Sequence, residues 1–359
     1  MPLNASGAIS LGGATAGQSV ALELTLGATT QISLDDAGVR TLSGVASGAI
    51  TIPTNFHGKS FITNPTVGVF YAGQPNVTTW GNTASRINAC GTIIGTETAI
   101  GTGRYRAGGA GMPTNAMFWG GAVSNAGTGT NTAVRINACG ALVGTQTTPT
   151  TVNSGATSAS IASGKLGSNG VYYAPQQAGS GGYCVISNVS VRLNACVGLV
   201  SQNTSITALL RQGVAGAVAG TNLVVYGGQY STCCCGTPRV SYITRINACG
   251  TKVGACSSPA ITLATYQGGA PVGGNAMFFG FVTGGGRVTR INTCGAVVGS
   301  QTTITPNRQS AGGAAIGTNG VYYGGCLSTT VTRINACGAV VGGATTVGTA
   351  RSGQAGAGI

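Results

Sequence analysis

Hydrolysing a glycosidic bond takes two carboxyl groups about 5 to 9 Å apart, and this chain has only four acidic residues to offer. Glu23, Asp35 and Asp36 fall before residue 61, which leaves Glu97 alone in the rest of the sequence. His57 is the sole histidine, so a Ser-His-Asp relay over residues 61–359 has neither its base nor its orienting acid. A redox copper site there has no imidazoles to use. A cysteine or serine without a neighbouring base is a poor nucleophile. The expectation is a protein that is not an enzyme and carries no cofactor.

Cysteine and arginine are the chemistry-bearing residues that remain. Six of the twelve cysteines, Cys90, Cys139, Cys196, Cys249, Cys294 and Cys337, recur at one position of a repeated phrase. Each is expected to be a small buried apolar residue, too far from its equivalents to form a disulfide. Cys184 and Cys326 lie beyond or after aromatic segments, where either could approach a repeat cysteine. Cys233, Cys234, Cys235 and Cys256 form the one cluster that could close a loop disulfide. Three successive cysteines do not have zinc-ligand spacing, so no metal is expected.

Arginine dominates the charge. Residues 61–359 hold thirteen arginines and two lysines against Glu97, about +14, whereas residues 1–60 sum to about −1. Nearly every arginine must therefore find water, a carbonyl or an external anion. One set recurs in the repeated phrase: Arg86, Arg135, Arg192, Arg245, Arg290 and Arg333. A second, incomplete set is Arg104, Arg211, Arg308 and Arg351. The favoured reading is that these guanidinium forks bond loop carbonyls between repeats. The alternative is bidentate capture of an anionic surface glycan or lipopolysaccharide. Nucleic-acid binding is not expected, because no aromatic–basic interleaving accompanies the charge.

The elements that position these residues follow from the repeat. Arg-Ile-Asn-Ala-Cys-Gly starts at Arg86, Arg135, Arg245 and Arg333, with variants at Arg192 and Arg290; the spacings are 49, 57, 53, 45 and 43 residues. A period near ~50 residues fits a four-stranded propeller blade. Each unit reads as a small-residue inner strand, an aromatic strand, the Arg-x-Asn-x-Cys strand and an outer strand. The aromatic strand recurs as Phe70-Tyr71, Phe118-Trp119, Tyr172-Tyr173, Val225-Tyr226, Phe278-Phe279 and Tyr322-Tyr323. One ring of each pair is expected between neighbouring blades. Residues 353–359 match an inner strand with no aromatic strand after them, and the first unit begins directly at Val67–Tyr71. The fold class is therefore all-β: a six-bladed propeller over 61–359, its first blade completed by about 347–359, behind a small N-terminal module, 1–60.

The module carries three of the four acids. Ser33–Leu42 is expected to form a short capped helix and Val45–Ile52 a strand, with too few residues for a strong core of its own. No apolar run approaches the ~20 residues of a membrane-spanning helix, and Met1-Pro2-Leu3-Asn4 does not resemble a signal peptide.

The aromatics followed by glycine pairs (Gly120-Gly121, Gly227-Gly228, Gly324-Gly325) resemble kelch repeats, with the usual late Trp replaced by Arg-x-Asn-x-Cys. The phrase from Thr332 to Gly342, with the Asn319-Gly320 turn before it, resembles repeats of tail-fibre and other virion proteins of tailed bacteriophages. Ser6–Gly13, Gln31–Asp36, Val39–Gly44, Ser47–Ile52 and Phe56–Ser60 are similar to a short module that begins many phage tail proteins. The resemblance implies a structural virion protein, tail-fibre or tail-associated, assembled in the host cytoplasm and oligomeric in the virion. Residues 1–60 would dock onto other virion proteins, and the propeller would present loops, with those of 153–261 the candidates for host-surface contact. A purely architectural decoration of capsid or tail is the alternative, and a cellular kelch-like adaptor a further one.

Overall fold

The computed structural model describes residues 3, 6–15, 18–24, 29–43, 45, 47–52, 54–56, 65–75, 79–123, 129–149, 160–177, 185–203, 211–230, 241–259, 265–282, 285–305 and 308–359. The chain divides into two compact units, Met1–Thr63 and Asn64–Ile359. The larger is a six-bladed β-propeller of small antiparallel sheets. Blade 6 has the full pattern from axis to rim: Gly312–Ile316, Asn319–Tyr323, Ser328–Asn335 and Thr345–Arg351. Inner strands of blades 2 to 5 are Gly108–Gly111, Ala162–Leu166, Ala215–Ala219 and Thr265–Val272. In blades 2 and 4 the outer strand is reduced to single bridges, Ala133 to Thr147 and Ile243 to Ser257.

Blade 1 takes its inner strand from the other end of the chain, as the repeat arithmetic predicts. Ala355–Gly358 pairs antiparallel with Val67–Tyr71, Ala355 opposite Tyr71 and Gly358 opposite Gly68. Ile359 extends the ladder, its carbonyl accepting from Thr66 and Val67 N–H at 3.0 and 3.1 Å. The inner edge of Val67–Tyr71 is thereby paired.

The apolar residues divide into six cores, one between each pair of adjacent blades. Both rings of each aromatic pair are used, rather than one. Consecutive strand residues point to opposite faces, and both faces of a blade are covered. Phe70 therefore meets Tyr323 of blade 6, at 5.7 Å between centroids, while Tyr71 meets Phe118 of blade 2 at 5.3 Å. Trp119–Tyr172, Tyr226–Phe278 and Phe279–Tyr322 fill three further seams at 5.2 to 5.6 Å. Between blades 3 and 4 the pair is Tyr173 with Val225.

Glycine at the axis is explained by a closed cycle of backbone contacts. A Cβ on Gly109 would stand 2.7 Å from the Gly356 carbonyl, on Gly356 2.5 Å from Gly313, on Gly313 2.5 Å from Gly269, and on Gly269 2.2 Å from Gly216. On Gly216 it would stand 2.4 Å from Ser163 N. Ser163, the one member with a side chain, closes the cycle: its Oγ donates to the Gly109 carbonyl at 2.9 Å and accepts from Gly109 N–H at 2.8 Å. The blades thus meet backbone to backbone, which only glycine, or a side chain that bonds the facing backbone, permits.

In the smaller unit, short helices Val20–Glu23 and Ala37–Ser43 enclose a core of Leu3, Ile9, Val20, Leu24, Val39, Leu42 and Phe56. Asp36 is the N-cap of the second helix: its carbonyl accepts from Arg40 N–H, and its Oδ2 accepts from Ser33 N–H at 2.8 Å. The expectation of a poor core is corrected by this buried set. Of the expected strand Val45–Ile52, the described residues 45 and 47–52 form no strand. Gly48 turns it at φ +88°, and Arg40 donates to the Val45 and Gly48 carbonyls at 3.4 and 3.2 Å, where a ladder would have run. No helix among the described residues is long and apolar enough to cross a membrane.

Candidate functional site

Antiparallel succession places the first-to-second and third-to-fourth strand connections of every blade on one face, the turn face. The second-to-third and blade-to-blade connections lie on the other, the loop face. The repeated phrase builds the turn face. In all six blades the Asn Oδ1 accepts two backbone N–H groups, two and four residues ahead: Asn335 takes those of Cys337 and Ala339, both at 3.0 Å. Asn88, Asn137, Asn194, Asn247 and Asn292 do the same. An Asn side chain that mimics a backbone turn is a known turn-former. Three residues after each Asn the chain needs a positive φ, met by Gly91, Gly140, Gly250, Gly295 and Gly338 at +78° to +86°, and by Val197 at +68°. The Asn-then-Gly spacing is the signal that marks this turn in the sequence.

The first arginine set ties these turns together. Arg86 Nη1 donates to the Ala138 carbonyl of blade 2 at 3.3 Å, Arg245 to Thr293 of blade 5 at 3.2 Å, Arg290 to Ala336 of blade 6 at 3.3 Å, and Arg333 to Ala89 of blade 1 at 3.4 Å. Each accepting residue directly precedes a repeat cysteine. Arg135 makes no such bond. The turn facing it carries Val197 where the five others have a glycine on which a Cβ would stand 3.2 to 3.5 Å from the preceding blade's arginine, and the valine is buried against blade 2. Arg192 bonds Ser201 Oγ of its own blade at 3.2 Å.

The described members of the second set are buried, Arg104 and Arg308 bonding within blades 2 and 6 and Arg351, at the end of the blade 6 outer strand, bonding into blade 1. Arg104 bonds the Gly120 and Thr132 carbonyls at 3.3 and 2.7 Å and Thr132 Oγ1 at 2.6 Å. Arg308 bonds the Gly324 and Thr330 carbonyls at 3.4 and 2.5 Å, and Arg351 bonds the Ala72 and Thr83 carbonyls at 2.9 and 3.5 Å. Each side chain is at most 2% exposed, and burial pushes Arg308 down to about 10. Arg211 pairs by its backbone with Tyr230; its side chain lies outside the described residues. The partner hydroxyls, Thr83 and Thr132, are functional positions that sequence reasoning missed.

Glu97 sits at the ring closure. It accepts from Ser85 Oγ at 2.7 Å, Thr349 N–H at 3.1 Å, Thr349 Oγ1 at 2.7 Å and Arg351 Nη2 at 2.8 Å. Burial alone would raise its pKa. The Ser85 hydroxyl, the Arg351 charge and the two Thr349 donors outweigh that and hold it below the ordinary 4.5.

The cysteine expectation is corrected. Cys90, Cys139, Cys196, Cys249, Cys294 and Cys337 are all exposed and free. The strand ends at the Asn, so its in–out alternation does not reach the cysteine two positions later. Cys326 is also exposed and free. Cys256 is free and half-buried, 3.4 Å from Thr244 Oγ1. Cys184, Cys233, Cys234, Cys235 and His57 lie outside the described residues, as do most of the candidate loops within 153–261. Among the described residues no three His, Cys, Asp or Glu side chains gather as metal ligands.

At the loop-face end of the axis lies a cavity of about 70 Å³, lined by glycine backbone and by Arg106, Ser160, Gln267, Ser310 and Gln354. That is well under the roughly 300–1,000 Å³ of ligand pockets, and it suits ordered water. The arrangement provides rigidity and two chemically different faces. Compared with known protein families the chain matches no family model, and it matches no curated protein.

Proposed function

We propose that this protein is a non-catalytic structural component of a tailed-phage virion, tail-fibre or tail-associated, with residues 1–60 docking into the particle and the kelch-like propeller presenting its loop face. The observation that carries the non-catalytic half is the state of Glu97. The propeller's one carboxylate side chain takes four hydrogen bonds, one of them the Arg351 ion pair, so it is spent on closing the ring. A group that must give or take a proton needs the opposite, a site reachable by substrate and a pKa near the working pH. The virion half rests on the likeness of the repeat phrase and the N-terminal segment to tail proteins.

The commitment of seven of these ten arginines to carbonyls favours cohesion of the ring over capture of an anionic glycan by those residues. Host-surface contact then belongs to the longer loops of the loop face. Reconstruction of the particle that carries this chain tests the reading. Residues 1–60 buried in tail density with the loop face outward is the expected result. A propeller whose loop face is buried against neighbours makes the protein scaffolding alone, and a chain absent from purified particles overturns the virion assignment.

A further inference from the structure

We propose that the turn face is a thiol–disulfide exchange surface, whose repeat cysteines form mixed disulfides with anionic low-molecular-weight disulfides. The turn uses only the backbone of this position: the cysteine N–H bonds the Asn Oδ1 in each blade, and the side chain points to solvent. Any residue compatible with the turn would serve its geometry. Neighbouring positions do vary between repeats, Ala or Thr before and Gly or Val after, yet the thiol stands in all six. An internal role does not account for it, so an external one is inferred.

The surroundings select the charge of the reagent. Beneath Cys90, Cys139, Cys294 and Cys337 lies a guanidinium from the preceding blade, bonded to the adjacent carbonyl at 3.2 to 3.4 Å when Thr293 is included with Ala89, Ala138 and Ala336. A carbonyl fills the donor without cancelling the charge. The only carboxylate of the propeller is held by Arg351. An anionic disulfide therefore meets positive potential and no competing acid. In the step the cysteine loses its proton to solvent, its thiolate sulfur attacks one sulfur of R–S–S–R, the S–S bond breaks, and R–S⁻ leaves as Cys–S–S–R forms.

Cys196 supplies an internal control, since Arg135, although it lies against Gly144 of its own blade as four of the other repeat arginines lie against theirs, makes no bond to the carbonyl before that cysteine and so is not fastened beneath it. The folded protein is treated in parallel with 5,5′-dithiobis(2-nitrobenzoate), an anion, and cystamine, a cation, and each cysteine is followed by peptide mass spectrometry. The expected anion-to-cation rate ratio is about three- to tenfold higher at Cys90, Cys139, Cys294 and Cys337 than at Cys196, collapsing in high salt. Arg333→Gln lowers the ratio at Cys90 alone. Equal ratios at all five sites overturn the proposal, as does a folded protein whose repeat thiols do not react. The wild-type comparison stands even if the variant fails to fold.

Discussion

Gly313→Ala tests whether the axis is a closed cycle of backbone contacts. The new Cβ would stand 2.5 Å from the Gly269 carbonyl oxygen and 2.9 Å from both its carbonyl carbon and its amide nitrogen, where ordinary contact begins at 3.4 Å. Blades 5 and 6 must part by about 1 Å at that point. They cannot do so freely, because Gly313 is pressed from the other side by Gly356 and the cycle has no open end. Overpacking of this kind costs about 1–3 kcal/mol, reduced by roughly 0.4–1 kcal/mol through the stiffer unfolded chain. At ~2–4 °C per kcal/mol for a large domain, a net cost near the middle of that range, ~1.3 kcal/mol, should lower the melting temperature by roughly 3 to 5 °C, with an upper limit of about 10 °C. Gly343→Ala is the matched control: nothing lies within 4 Å of its added Cβ and its φ is ordinary, so it should change stability by less than about 0.5 kcal/mol. Differential scanning calorimetry of both variants and the parent decides the matter. If the two alanine variants melt together, the inner strands are not in hard contact and the account of the axial glycines is wrong.

Two further outcomes concern the closure. Glu97 has a depressed pKa in the folded state, so its contribution is present above about pH 4.5, its ordinary value, and is lost as pH falls through the lower folded value; Glu97→Gln should lower stability at pH 7 and flatten the acid side of the melting-temperature profile, and an unchanged profile would contradict the assigned contacts. Removing residues 353–359 strips the inner strand from Val67–Tyr71 and uncovers the Phe70 and Tyr71 seams, so circular dichroism should show a lower melting temperature than for any single substitution above, with loss of cooperativity across the whole ring.

The ring and its closure were legible because they are properties of count and order. Six recurrences fix six blades, and an unmatched strand pattern at each end of the repeat array demands that the two halves meet. The aromatic pairs were legible for a similar reason, although alternation applied to both faces predicts two buried rings per pair, not one. The repeat cysteines were misread because apolar character was taken to mean burial at a place where strand periodicity has ended. At a turn tip the backbone hydrogen bonds of Asn335 and its equivalents set the conformation, and the side chain is left outside whatever its hydropathy. Val45–Ile52 failed differently: its composition suits a strand, but a strand needs a partner, and Arg40 satisfies its carbonyls instead.

The arginines show why short-range and long-range electrostatics must be argued separately here. Arg104, Arg308 and Arg351 aim their donors at carbonyls and hydroxyls, and four of the repeat arginines do likewise across blade seams. Such acceptors engage some of the N–H groups but carry no net charge, so the propeller keeps nearly all of its excess, fifteen basic side chains against Glu97. Nη1 of these arginines is taken and the Nε of Arg86, Arg104, Arg308, Arg333 and Arg351 is buried, so the complete fork is not open to an anion at those positions, while the field that attracts one survives out to about a Debye length, ~8 Å at physiological salt. Attraction of this kind raises encounter rates with any anionic surface and discriminates poorly among them. Identity of a partner must then be read by groups with free donors, acceptors and shape. In this fold those are the longer loops of the loop face and the thiols of the turn face, not the arginine rings that first draw the eye in the sequence.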